Sequence, residues 1–175
     1  MVPRGYRWAV DGGPRLPTAT ELIESRLSEG DDYRMSHTAP DEDSAPMHDL
    51  TKVYPDDVHI SPHYYHGNDP HQSDAYWTAR SVMGKPEKRL WVYRAVPKGV
   101  KTINHGDWVT PVKAYAREHG KHHSDPSQDM HVIAARTEAK NLHTDGNSLA
   151  EWGYNGGTSL KASVVFRPRK RVKAD

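Results

Sequence analysis

Arg94 is the side chain in this sequence whose position most demands a chemical partner. It lies in LWVYRAV, residues 90–96, where Leu90, Val92, Arg94 and Val96 share one face of a period-two pattern and Trp91, Tyr93 and Ala95 share the other. Both faces are mostly apolar, so the stretch reads as a strand buried on both sides. A guanidinium in such a place cannot shed its proton and has to meet acceptors. Two kinds of partner satisfy it. One is an internal carboxylate; the other is a phosphate or pyrophosphate laid across the strand end and gripped by the two-pronged donor geometry that Arg has and Lys lacks.

The residues that follow Arg94 have to position whatever it meets. Gly106-Asp107 reads as a turn, Trp108-Val109 as a short extended piece, and Thr110-Pro111 as an N-cap with proline at the first helical position. Val112, Tyr115, Ala116 and His119 then recur on one helical face up to Gly120, which closes the helix. Further on, Thr144-Asp145-Gly146-Asn147 forms a turn, and Asn147 can cap a single helical turn over residues 148–150 leading into Glu151.

Tyr93-Arg94-Ala95-Val96-Pro97, Gly106-Asp107-Trp108-Val109-Thr110, and Asp145-Gly146-Asn147 with Glu151-Trp152-Gly153-Tyr154 together resemble a group of ADP-ribosyltransferase domains found in phage and prophage proteins. The resemblance spans roughly residues 33–166. It implies an α+β fold of small antiparallel or mixed sheets forming an NAD cleft, with helices toward the N-terminus, and NAD as substrate. Within Met35-Ser36-His37-Thr38-Ala39-Pro40, His37 and Thr38 look like the strand-end His-Thr that faces the adenosine side of the dinucleotide in one branch of these enzymes. The competing reading of His37 is a solvated loop histidine among the twelve in the chain.

The resemblance also implies roles. Breaking the N-glycosidic bond of NAD leaves positive charge on the ribose, as in glycoside hydrolysis. The site then needs a pyrophosphate anchor, an aromatic surface for nicotinamide and a carboxylate near the ribose 2′-hydroxyl. Arg94 fits the first; Trp108, Tyr115, Trp152 and Tyr154 are candidates for the second, with Trp108 and Tyr115 favoured; Glu151 fits the third. Two departures stand out. Where the arginine-serine-glutamate class carries Ser-Thr-Ser this chain has Trp108-Val109-Thr110, so Thr110 alone supplies a hydroxyl, and Leu149 occupies the position of the Glu or Gln that accompanies arginine modification. The acceptor is therefore an unspecified macromolecule, protein or nucleic acid, of a phage or prophage effector's host. The alternatives are NAD hydrolysis to free ADP-ribose, and a non-catalytic phage binding protein on the same scaffold.

The bulk properties agree with a domain of modest core. The chain has 175 residues, 35% of them hydrophobic, with one Phe against nine Tyr and five Trp. Its 24 basic and 23 acidic residues give a net charge of +1, which predicts no general attraction to nucleic acid or membrane. No apolar run has membrane-spanning length, the N-terminus has no signal-peptide core, and Cys is absent, so a cytoplasmic location is expected.

Three regions divide the chain: an arm with a short helix capped at Thr18-Ala19-Thr20-Glu21 over residues 1–30, the transferase-like domain at 31–166, and a basic tail at 167–175. Residues 31–71 read as a long, irregular connection, either functional or mobile. Residues 73–83 read as a helix with Ser73 as cap and Tyr76, Ala79, Val82 and Met83 buried; residues 130–137 and 160–166 read as strands. Helices before strands argue for α+β. Two histidine groups, at 59, 63, 66 and 71 and at 119, 122, 123 and 131, raise zinc as a rival, weakened by the lack of an HExxH spacing. In the tail, Arg167, Arg169, Lys170, Arg171 and Lys173 read as a solvated end or a phosphate contact.

Overall fold

The computed structural model describes residues 39–122 and 124–168. The N-terminal arm and its capped helix, and the tail beyond Pro168, lie outside the described residues. In chain order the elements are β1 (Ala45–Pro46), a 3-10 turn (Asp56–His59), α1 (His63–His66), α2 (Pro70–Val82), β2 (Arg89–Val96), β3 (Thr102–Ile103), β4 (Asp107–Val109) and α3 (Lys113–His119). There follow β5 (His131–Glu138) between 3-10 turns at Pro126–Gln128 and Ala139–Asn141, then β6 (Leu142–Thr144), β7 (Trp152–Tyr154), β8 (Leu160–Lys161) and β9 (Ser163–Phe166). Three antiparallel sheets result, ordered β1-β6-β7-β4, β2-β5-β9 and β3-β8. The class is α+β, with several small antiparallel sheets and few helices.

The strand read around Arg94 is the longest in the fold with its partner β5, in register from Arg89 opposite Glu138 to Val96 opposite His131. Leu90, Val92 and Val96 enter one buried cluster together with Ala75, Tyr76, Ala79 and Val82 of α2. Each of the fully buried valines among them, Val82, Val92 and Val96, stabilises the fold by about 1.5–3 kcal/mol. The opposite face is closed only in part: α3 covers Ala95, but Trp91 is 51% exposed, so burial on both sides holds for Val92 onward and fails at the strand's start.

Several boundaries differ from the sequence reading. The α2 helix starts at Pro70 because Asp69, not Ser73, is the cap, accepting from the backbone N–H of His71 at 2.8 Å and of Gln72 at 3.4 Å. Met83 lies past its end and is exposed. The stretch at 160–166 splits into β8 and β9 in two different sheets, since the Ala162 N–H turns away to bond Lys101 O at 2.8 Å. Residues 39–62 are irregular yet integral to the core, with Met47, Leu50 and Val58 almost fully buried.

Residue Gly153 shows how closely this irregular segment is built in. A Cβ placed there would lie 1.9 Å from Pro40 O, so the chain at Pro40 crosses the middle of β7 where only a hydrogen fits. Asn155 Nδ2 secures the same carbonyl at 2.9 Å. Gly153→Ala should destabilise by the upper end of the ~1–3 kcal/mol typical of overpacking, or more, read as a lowered midpoint in urea. An unchanged midpoint would mean that Pro40 does not cross there.

A second prediction concerns His143 on β6. It is buried, and desolvation, aided by Lys52 and opposed by Glu42, holds its imidazole pKa below the ordinary value. The folded state thus resists a proton that the unfolded chain takes up near pH ~6.5. This contribution is complete above that pH and is lost as pH falls below it. Melting temperature should drop between about pH 7 and 5, and His143→Asn should flatten that slope; the same slope in both proteins would contradict the assignment. His59, lowered mainly by desolvation, acts in the same direction in both proteins and cancels from the comparison.

Candidate active site

The Arg94 guanidinium meets an internal carboxylate. Its Nη1 lies 2.7 Å from Asp107 Oδ2, and the two side chains are 2% and 1% exposed. The same Oδ2 accepts the Asn104 N–H at 2.7 Å, while Gly106, at φ +83°, closes the turn that delivers Asp107 to the start of β4. The pair therefore ties β4 to β2 from inside. Arg94, expected as a pyrophosphate anchor, lines the recess, and its charged end is paired with Asp107 beneath the surface.

Directly above this pair is a recess of about 370 Å³, counted out to its open mouth. Its lining comprises Tyr93, Arg94 and Ala95 from β2, Trp108 and Val109 from β4, Thr110, then Tyr115, Ala116 and His119 from α3, and Glu151. Room for the centre of a water-sized sphere is only about 30 Å³, so the recess is narrow and most of its volume lies at the open mouth. Five of the residues singled out in the sequence, Arg94, Trp108, Thr110, Tyr115 and Glu151, converge here from three elements and two connecting segments. His37 and Thr38 lie outside the described residues. Trp152 and Tyr154 are 0% and 1% exposed and belong to the core.

Thr110 is not a helix cap. Its backbone exchanges hydrogen bonds with Tyr93, N–H to O at 2.9 Å and the reverse at 2.8 Å, which extends the chain as a bridge between the two larger sheets. Its Oγ1 instead accepts the Val112 N–H at 3.1 Å, and α3 begins only at Lys113. Thr110 is buried as a wall of the recess, and Pro111 precedes the helix.

Glu151 is set at the recess by both its neighbours. Just after it, Trp152 pairs with Val109 across β7 and β4 and donates its indole N–H to Leu149 O at 2.7 Å. Just before it, Gln72 of α2 clamps the loop, donating from Nε2 to Ser148 Oγ at 2.9 Å and accepting the Leu149 N–H at 2.7 Å. Ser148 Oγ also accepts the Ala150 N–H at 3.2 Å, and residues 148–150 form a bend rather than the expected helical turn. Gln72 and Asp107 are positioning residues that sequence reasoning did not single out as such. Gln72 carries no local signal; Asp107 was visible only as a turn residue.

Tyr115 controls the carboxylate. Its hydroxyl donates to Glu151 Oε1 at 2.5 Å. Burial, followed by the hydrogen bond and charge of Glu151, pushes the phenol pKa well above its ordinary value, so it stays a donor throughout the physiological range. The ring stacks on His119 at 5.9 Å between centroids and meets His71 edge-on at 5.8 Å, and His71 Nε2 in turn lies 3.0 Å from Glu118 Oε2. One half-buried carboxylate, oriented by a phenol and flanked by an indole, can stabilise a cationic transition state and stack a flat heterocycle.

Among the described residues, no three or more His, Cys, Asp or Glu side chains are placed to hold a metal ion. No helix in these residues is long and apolar enough to cross a membrane. Compared with protein-family profiles, curated proteins and solved structures, the chain matches none.

Proposed function

We propose that this chain is an NAD-dependent ADP-ribosyltransferase of the phage and prophage type, acting in the cytoplasm on a host macromolecule. The observation that carries the reading is the meeting of Glu151, Tyr115 and Trp108 in one recess, three residue types that nicotinamide-ribose chemistry needs. In this reading the nicotinamide end of NAD seats at the open mouth of the recess. The pyridinium ring, cationic before cleavage, is held against the Trp108 indole by cation–π attraction. As the bond from ribose C1′ to nicotinamide breaks, its electron pair goes to the ring nitrogen, which leaves neutral, and the positive charge moves to the ribose. Glu151 accepts from the 2′-hydroxyl and stabilises that charge. Tyr115 keeps the carboxylate aimed. Arg94 and Asp107 hold the floor rigid, and the pyrophosphate extends outward beyond the mouth.

Incubation with adenylate-labelled NAD and a bacterial lysate tests the proposal. Label on a macromolecule is the expected result. Free ADP-ribose alone would favour hydrolysis, and intact NAD would favour a non-catalytic binder.

A further inference from the structure

The sheet face that bears the recess continues beyond it. Trp91 precedes Tyr93 of the recess lining by two residues in β2 and so shares its face. Its indole is 51% exposed, although the strand from Val92 onward is buried or half-buried. Its partner across the ladder is Arg136, exposed, with the guanidinium carbon 5.9 Å from the indole centroid. Arg89, exposed and next on that face, exchanges 3.5 Å side-chain-to-carbonyl bonds with Arg136 in both directions. At the other end of the face lies α3, which packs against β2, and its Arg117 sits 4.4 Å over the Phe166 ring.

The recess is thus flanked by an exposed indole and by guanidiniums on both sides. Of the nearby acids, Glu138 and Glu87 share Lys140, at 2.9 and 2.8 Å, and Glu118 Oε2 lies 3.0 Å from His71 Nε2. In a chain of net charge +1 the three arginines are a local grouping. An exposed indole with guanidiniums nearby has the two elements of single-strand recognition, a stacking surface and phosphate contacts.

We infer that this face binds single-stranded nucleic acid, with a base stacked on Trp91 and phosphates held by Arg136, Arg89 and Arg117. Resting on the transferase reading, the strand is the acceptor presented to the recess. A base nitrogen then forms the bond to ribose C1′ as nicotinamide departs with the old bonding pair, and the acceptor nitrogen's proton passes to water.

Fluorescence anisotropy of a short, mixed-sequence, fluorescein-labelled strand, as DNA and as RNA, titrated with the full chain without NAD, tests the face. Saturable binding to at least one strand is expected, weaker for the matching duplex. Trp91→Ala should weaken it roughly 5- to 150-fold. Arg136→Ala should lower the log–log salt slope by about 0.7, one phosphate's share. Both side chains are exposed, and a thermal melt of each variant confirms folding. A chain ending at Pro168 should keep the dependence on Trp91. Absence of binding, duplex binding as tight as single-strand binding, or affinity indifferent to both substitutions, including affinity that vanishes only with the tail, would overturn the inference. Because no NAD is present, these results are independent of nicotinamide release, which reports on the recess alone.

Discussion

Glu151→Gln is expected to lower the rate of nicotinamide release from NAD by about 10²–10³-fold, the loss typical when one preorganised electrostatic contact to a transition state is removed. The substitution isolates charge from shape. A glutamine oxygen can still accept from the Tyr115 hydroxyl, and Gln72, Trp152 and the Val109 pairing still set the loop, so the side chain keeps its place. What disappears is the negative charge beside the ribose, felt chiefly after the glycosidic bond has begun to break. The loss should therefore appear in kcat with little change in KM. A loss confined to KM would mean that Glu151 binds substrate without stabilising the cation. Quantifying released nicotinamide by chromatography under saturating and limiting NAD separates the two.

Asp107→Ala is expected to destabilise the fold by about 3–5 kcal/mol, the range seen when one partner of a buried ion pair is removed and the other charge stays behind. Both side chains are almost fully buried, and Asp107 also accepts the Asn104 N–H, so its loss loosens the β4 turn as well. The companion variant is Arg94→Met with Asp107→Leu, which removes both charges and fills similar volume; replacing buried pairs this way is often neutral or stabilising. Urea unfolding of the single and double variants should show most of the lost stability restored in the double. A mild effect of Asp107→Ala would show instead that Arg94 finds solvent or another acceptor, and would return it to consideration as a ligand anchor.

The Arg94 strand was legible because its evidence is local: alternation, β-branched and aromatic content, and one residue out of pattern. The identity of that residue's partner was not, since which of 23 acidic side chains folds beneath a strand depends on how β4 docks. Thr110-Pro111 illustrates the same limit. By itself it is a sound helix start, but the hydrogen bonds with Tyr93 draw Thr110 into a bridge, and tertiary pairing outweighs the cap. The convergence of Trp108, Thr110, Tyr115 and Glu151 was anticipated from motif resemblance, and composition alone would not have brought them together. The clamp by Gln72, the floor by Asp107, and the distinction between exposed Trp91 and buried Trp152 all required the packed structure. Irregular segments were the least readable: the part of 31–71 within the described residues has few elements, yet contributes Met47, Leu50 and Val58 to the core.

The central claim is that the nicotinamide end of NAD enters the recess between Trp108 and Glu151. Titrating NAD into Glu151→Gln protein labelled at its tryptophan indole nitrogens, with the Trp108 resonance assigned by Trp108→Phe, reads this directly by NMR. A saturable shift of the Trp108 indole signal is expected, while that of Trp152, bonded to Leu149 O inside the core, stays in place. A Trp108 signal that does not move at saturating NAD would contradict it.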